Sequence, residues 1–154
     1  MNDALTIFID GACRGNPGPA GIGVIIKNDK KVLKEISQSI GDATNNIAEY
    51  TALKVALSEA GLLTKGVLKI FTDSELLAKQ ITGAYKIKNE NLAVLYQEVA
   101  QLSLQFKSVE ITHVKRERNK EADLLATQAI TLKQGKTIAS TFKYVKEESP
   151  SSKG

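Results

Sequence analysis

The order of strand-like and helix-like segments constrains the fold of this chain more than any other feature. Three strand patterns come first, at about 4–10, 21–27 and 31–37, and a tight turn at 28–30 joins the last two as a hairpin. Strand and helix patterns then alternate along the rest of the chain. This order predicts an α/β fold with a five-stranded mixed sheet flanked by helices, an antiparallel meander on one side and parallel strands on the other.

Residues that start or stop helices set the boundaries of the later elements. Asn45 and Asn46 open a helical pattern that Gly61 ends. Residues 11–19 contain too much glycine and proline for a regular element, so we predict a loop there. The remaining elements are expected as helix 45–60, strand 67–72, short helix 74–81, helix 90–105, strand 109–114 and helix 119–131.

Four acidic residues stand where the pattern would favour apolar ones. Asp10 and Asp73 each end an apolar strand pattern, while Glu49 and Asp123 lie on the apolar stripes of their helices. A buried carboxylate costs several kcal/mol unless something positive compensates it. Ligands of α/β sheets bind beyond the carboxyl ends of the strands. The four acids together therefore predict a divalent-metal site at that edge of the sheet.

Taken singly, the acidic residues also have ordinary structural explanations. Glu49 follows Asn46 at the spacing of a capping box, and Asp73 could simply cap the helix that follows it. Asp123 could be a helix-edge residue in contact with solvent. Only the joint occurrence of the four acids favours the metal site over these alternatives.

Composition bounds the class of protein. The 154 residues suit one domain, expected at 1–131, followed by a lysine-rich tail at 132–154 that is partly disordered or adds an edge strand. No apolar run is long enough to span a bilayer, and the N-terminus lacks the basic region of a signal peptide. The single cysteine, Cys13, excludes an intramolecular disulfide and favours a reducing, cytoplasmic location. The net charge of +4 is compatible with a polyanionic partner, and we expect a monomer that binds no membrane.

Four sequence motifs together resemble the type 1 ribonuclease H family. They occupy residues 9–18, 44–50, 72–74 and 119–126, in the family's order. The resemblance covers residues 4 to about 130 and implies a ribonuclease H-like fold. It also implies an endonuclease that hydrolyses the RNA strand of RNA–DNA hybrids and leaves 5′-phosphate and 3′-hydroxyl ends.

The resemblance assigns the four acids and the residues around them. It implies two ions, Mg²⁺ or Mn²⁺, held by Asp10, Glu49, Asp73 and Asp123, and hard divalent ions do prefer carboxylate oxygens. Asp10 is expected to be the shared ligand, and Asp123 the most mobile one. The expected nucleic-acid contacts are Gly11, Ala12, Cys13, Asn16, Thr44, Asn45, Asn46, Ser74, Lys86 and Lys88.

The chain departs from the family at two places. Many members carry a catalytic histidine in a flexible loop before the fourth acidic motif, and here that loop is shortened to residues 115–118. His113 lies earlier, inside a strand pattern, so we predict a strand or packing residue there instead of a catalyst. We expect Arg118 to contact the scissile phosphate or to help the product leave. The large basic protrusion of some members is also missing, which leaves Tyr85, Lys86 and Lys88 in that region.

Three other functions remain open from the sequence. One is a non-catalytic module of the same fold that binds hybrid or double-stranded RNA, which the missing histidine would suit. Another is a related metal nuclease with a different substrate, and the third is a structural protein that metal stabilises.

Overall fold

A five-stranded mixed sheet organises the chain in the computed structural model, which describes residues 4–135, with side chains as far as Thr131. The α/β architecture predicted from the sequence is confirmed. The elements are β1 (Leu5–Cys13), β2 (Gly18–Asn28), β3 (Lys31–Ala43), α1 (Asn45–Ala60), β4 (Val67–Thr72), α2 (Glu75–Ile81), α3 (Glu90–Ser103), β5 (Ser108–His113) and α4 (Lys120–Gly135), with a 3₁₀ turn at Arg116–Arg118.

The strand order β3-β2-β1-β4-β5 brings two acidic residues together. β1 is antiparallel to β2 and parallel to β4, and β5 is parallel to β4. The pairing of β1 with β4 ends at Ile9 and Thr72, so Asp10 and Asp73 are the next residues of neighbouring strands. Both acids therefore lie at the carboxyl edge of the parallel part of the sheet.

The glycine- and proline-rich loop is shorter than predicted. We expected no regular structure at 11–19, but β1 continues to Cys13 and β2 begins at Gly18. Asp10 is consequently not the last residue of its strand, because Gly11, Ala12 and Cys13 still pair with β2. β3 likewise runs to Ala43 instead of ending at 37, since its pairing with β2 continues past a register shift at Ala20/Gly21.

Helices cover both faces of the central strands. Leu5, Ile7 and Ile9 alternate on the face of β1 that packs against α1, and α3 packs on the outside of α1. α4 packs on the opposite face, against β1, β2 and β3. Its approach to β2 is so close that a Cβ on Gly23 would overlap the carbonyl oxygen of Ala122.

The end of α4 lies beyond its predicted boundary. The helix continues to Gly135 instead of stopping at 131. Residues 136–154, which make up most of the predicted tail, lie outside the described residues, so their disorder or edge strand stays a prediction. Between residues 4 and 135, no helix combines the length and apolar character needed to cross a membrane.

Candidate active site

Three carboxylates meet where β1 and β4 stop pairing. One carboxylate oxygen from each of Asp10, Glu49 and Asp73 lies within 4.8 Å of the others. Asp10 is the most buried of them, at 4% exposed. Asp123 stands outside this group of three, but it lies within hydrogen-bonding reach of Asp10 and lines the same cleft. The structure thus brings the four predicted acids to one place, with Asp123 at its margin.

A glycine on β1 lets the helix carrying Glu49 approach the strand. A Cβ on Gly11 would overlap the backbone of Ala48 and Glu49, so only glycine fits this crossing. The Gly11 N–H also donates a hydrogen bond to Glu49 Oε1 at 2.9 Å. The contact therefore fixes both the height of α1 over the sheet and the direction of the Glu49 side chain.

The structural alternatives for Glu49 and Asp73 are wrong, because other residues cap both helices. Thr44 Oγ1 accepts the Ile47 N–H at 3.2 Å and caps α1. Ser74 Oγ accepts the Leu77 N–H at 3.1 Å and caps α2. The Glu49 carboxylate is turned toward Gly11 instead of the helix start, and neither acid is explained by capping.

Like charges and burial raise the pKa values of two carboxyls. Burial is the largest cause of the raised pKa of Asp10, about 10, and the charges of Glu49 and Asp73 add to it. Burial and then the Asp73 charge raise the pKa of Glu49 to about 8, although the Gly11 N–H opposes the shift. Both carboxyls therefore favour the protonated form more strongly than an ordinary carboxyl does when no cation is near.

This donor set fits a divalent metal. Four acidic residues line the cleft in the described part of the chain, and Arg116 is the one basic residue beside them. Carboxylate oxygens are the ligands that Mg²⁺ and Mn²⁺ prefer, and a divalent charge would compensate the buried, crowded negative charge that raises the pKa values of Asp10 and Glu49. The cleft is open and holds about 390 Å³, enough to admit a phosphodiester beside the carboxylates.

Most of the predicted nucleic-acid contacts lie around the same cleft. Its lining includes Gly11, Ala12, Cys13, Asn45, Asn46 and Ser74. Two other predicted contacts are not part of the lining but form hydrogen bonds at the start of α1. Thr44 caps that helix, and Asn16 Oδ1 accepts the Asn45 N–H at 3.0 Å. Lys86 and Lys88 are exposed on the segment between α2 and α3 and are not part of the lining.

Cys13 orients one of the asparagines of the cleft. Its sulfur lies 3.1 Å from Asn45 Oδ1 and 2.6 Å from the Gly15 carbonyl oxygen, and the single thiol proton can be donated to one or the other. Burial raises the pKa of the thiol, which keeps it in the protonated form that donates. Cys13, predicted as a nucleic-acid contact, thus also contacts the Asn45 side chain within the protein.

The structure places two of the residues considered from the sequence, Arg118 and His113, outside the lining of the carboxylate cleft. Arg116, not Arg118, lines the carboxylate cleft, while Arg118 lines a smaller depression with Phe8. A 3₁₀ turn has three residues per turn, so side chains two residues apart point in directions about 120° apart, and the two arginines face different ways. His113 is the last residue of β5, as its strand pattern predicted, but its side chain is exposed instead of packed, and it does not line the cleft.

Comparisons with known proteins agree with this site and fold. A family model described as reverse transcriptase-like matches residues 8–129. The bifunctional protein Rv2228c of Mycobacterium tuberculosis is 38% identical over 154 residues, covering 97% of this chain and 42% of that protein. Ribonuclease HI of Halobacterium salinarum is 40% identical over 124 residues, covering 80% of this chain and 62% of that protein. This chain therefore spans less than two thirds of the length of either relative.

A solved structure extends the likeness to three dimensions. The LC11-RNase H1 structure in complex with an RNA/DNA hybrid is 36% identical and superposes with a TM-score of 0.81, covering 85% of this chain and 99% of that one. With a family model spanning most of the chain and the same fold in a related enzyme, this chain belongs to the type 1 ribonuclease H family.

Proposed function

We propose that this chain hydrolyses the RNA strand of RNA–DNA hybrids. The observation that carries the proposal is the meeting of three carboxylates within 4.8 Å in an open cleft, with Asp123 beside Asp10. The hybrid bound in the LC11-RNase H1 structure supports the substrate class. We further propose that the protein acts as a monomer in the cytoplasm.

The four acids would hold two divalent ions, Mg²⁺ or Mn²⁺. When bound, such ions activate the attacking water and stabilise the leaving 3′-oxygen, which gives 5′-phosphate and 3′-hydroxyl ends. Asp10 is our candidate for the shared ligand because it is the most buried of the group and lies next to the other three. Because the pKa values of Asp10 and Glu49 are raised, binding of a cation would favour release of their protons, so cation binding and proton release are coupled.

The residues around the acids would position the hybrid. The backbone of Gly11 to Cys13, together with Asn45 and Asn46 at the start of α1, offers polar groups at the mouth of the cleft. Selectivity for RNA requires contacts to the 2′-hydroxyl, the group that distinguishes RNA from DNA. Arg116 is our candidate for the scissile phosphate, because a guanidinium binds phosphate oxygens in pairs and this one lines the cleft.

The test is cleavage of an end-labelled RNA–DNA hybrid with Mg²⁺, Mn²⁺ or chelator, beside single-stranded RNA, duplex RNA and duplex DNA. We expect metal-dependent cutting of the RNA strand of the hybrid alone, and loss of cutting in Asp10→Asn. Asp29→Asn is the matched control: it makes the same chemical change on an exposed residue at the far end of the sheet, where asparagine tolerates the φ of 56°.

The outcomes separate the proposal from its rivals. If the protein binds the hybrid but does not cut it with either metal, the proposal of an enzyme is wrong and a non-catalytic binding module is favoured. Cutting of another duplex in preference to the hybrid would assign a different substrate, and full activity in Asp10→Asn would contradict the role of the carboxylate cluster.

A further inference from the structure

A buried polar connection joins the helix that carries Glu49 to an exposed basic segment. Tyr50, the residue after Glu49, is fully buried, and its hydroxyl donates to Gln80 Oε1 at 2.6 Å. Gln80 lies on α2, is 6% exposed, and donates from Nε2 to the carbonyl of Lys86 at 3.1 Å. The amide of Gln80 thus uses its acceptor toward the core and its donor toward the segment between α2 and α3.

That segment, residues 82–89, has no regular secondary structure and presents groups that suit a nucleic-acid backbone. Tyr85 is 45% exposed, and Lys86 and Lys88 are both exposed. The Tyr85 N–H donates to the Lys79 carbonyl at 3.1 Å, and the Lys79 ammonium lies 6.0 Å from the centre of the Tyr85 ring. Clustered lysines around an aromatic ring are typical of surfaces that bind phosphates and stack on bases.

The position of Gln80 requires a side chain that accepts at one end and donates at the other. An apolar residue would leave the Tyr50 hydroxyl and the Lys86 carbonyl without these partners, and an unpartnered buried group is costly. Glutamate could accept from Tyr50, but its ionised form could not donate to the carbonyl. Ile87 packs against the core one residue further on, so loss of Gln80 would loosen the backbone at Lys86 without releasing the whole segment.

We propose that Gln80 is a positioning residue that sets the affinity for the hybrid by fixing the backbone of Lys86. The inference rests on the proposed function and extends it to a residue that does not line the cleft. Its effect should appear in substrate binding, because the hydrogen bonds of Gln80 reach none of the carboxylates, while Gly11 bonds Glu49 and Asn119 bonds the backbone beside Asp10.

The experiment compares Gln80→Met with the unsubstituted protein in steady-state cleavage of the hybrid. Methionine has a similar length and makes neither hydrogen bond. We expect KM to rise about three- to tenfold, the equivalent of one or two lost hydrogen bonds, with kcat unchanged within about twofold. The Kd for the hybrid, measured by fluorescence anisotropy in the Asp10→Asn background, should rise by the same factor.

Two controls separate positioning from loss of stability. Val99→Ala removes buried volume from α3 but removes neither hydrogen bond of Gln80, and we expect it to lower Tm with KM unchanged. In a Lys86→Ala/Lys88→Ala background, Gln80→Met should produce no further rise in KM, because the groups it positions are gone. If Gln80→Met is too unstable to assay, Tyr50→Phe removes the hydroxyl donor alone and should raise KM by a smaller factor.

Three results would overturn the inference. They are an unchanged KM in Gln80→Met, a fall in kcat that accounts for the whole loss of activity, or an equal rise in KM with and without the two lysines. Failure of the proposed function is a different result, since the unsubstituted protein would then neither cut nor bind the hybrid.

Discussion

Replacing Asp10 by asparagine should stabilise the metal-free protein while it abolishes cleavage. Asp10 is almost fully buried, and it shares its surroundings with three other acids. Burial and those neighbours raise its pKa from 3.8 to about 10, so the folded protein retains a proton that the unfolded chain has lost at neutral pH. The folded state therefore carries an electrostatic cost that a neutral amide does not have.

The size of this cost follows from the unfolded-state pKa. Holding a proton at pH 7 against a pKa of 3.8 costs about 1.4 kcal/mol per pH unit, or about 4 kcal/mol in all. At pH 5 the same reasoning gives about 1.5 kcal/mol. Because the folded-state pKa is the higher one, the unsubstituted protein loses stability as pH rises from about 4 toward 10. Desolvation of the asparagine amide offsets part of the gain, which leaves an expected stabilisation of about 1–4 kcal/mol at pH 7.

The assay is urea and thermal unfolding of both proteins in chelator at pH 5, 7 and 8, followed by circular dichroism. The gain at pH 7 corresponds to a rise in Tm of about 2–16 °C for a chain of this size. Asp29→Asn, on its exposed turn, should leave Tm within about 1 °C of the unsubstituted protein. An Asp10→Asn protein that is less stable than the unsubstituted one at pH 7, or whose advantage does not grow with pH, would refute the electrostatic reasoning.

Two further predictions concern the cation and the arginines. Mg²⁺ or Mn²⁺ should raise the Tm of the unsubstituted protein in thermal unfolding. The rise should be larger at pH 8 than at pH 6, because protons on Asp10 and Glu49 compete with the cation. In Asp10→Asn the same cation should shift the Tm little. Arg116→Ala should lower kcat/KM for the hybrid about tenfold, and Arg118→Ala should lower it by less. The reason is that, of these two arginines, Arg116 is the one that lines the carboxylate cleft. The reverse order in the cleavage assay would restore the role first assigned to Arg118.

Periodicity and position along the chain were enough to predict much of the site. Asp10 and Asp73 each follow an apolar strand pattern, and parallel pairing of those strands places the two acids side by side. Glu49 and Asp123 could be selected because an acid on an apolar helical stripe needs an explanation. The physical reason for this success is that each of the four residues departs from a strong local pattern.

Features that depend on contacts between distant segments could not be predicted in the same way. The strands extend into the region of 11–19 because residues of β1 and β2 pair there, which outweighs the turn propensity of the glycines. The position of Arg116 in the cleft lining depends on the 3₁₀ turn at 116–118, and composition alone does not distinguish this arginine from Arg118. The connection through Gln80 joins residues 30 positions apart, and no short motif marks it.

The supports of the acidic residues act mainly on the backbone beside them, and this arrangement suits cation binding. The Asn119 side chain donates from Nδ2 to the backbone carbonyl of Ile9, next to Asp10, at 2.8 Å. The backbone carbonyl of Asn119 accepts the Asp123 N–H at 3.0 Å. Glu49 is supported directly by the Gly11 N–H, but through one oxygen. Positions are thus fixed by bonds that leave carboxylate lone pairs available. The burial and crowding of these carboxyls destabilise the metal-free fold, and a bound divalent cation would compensate the same buried charge, so affinity for metal and instability without it share one physical cause.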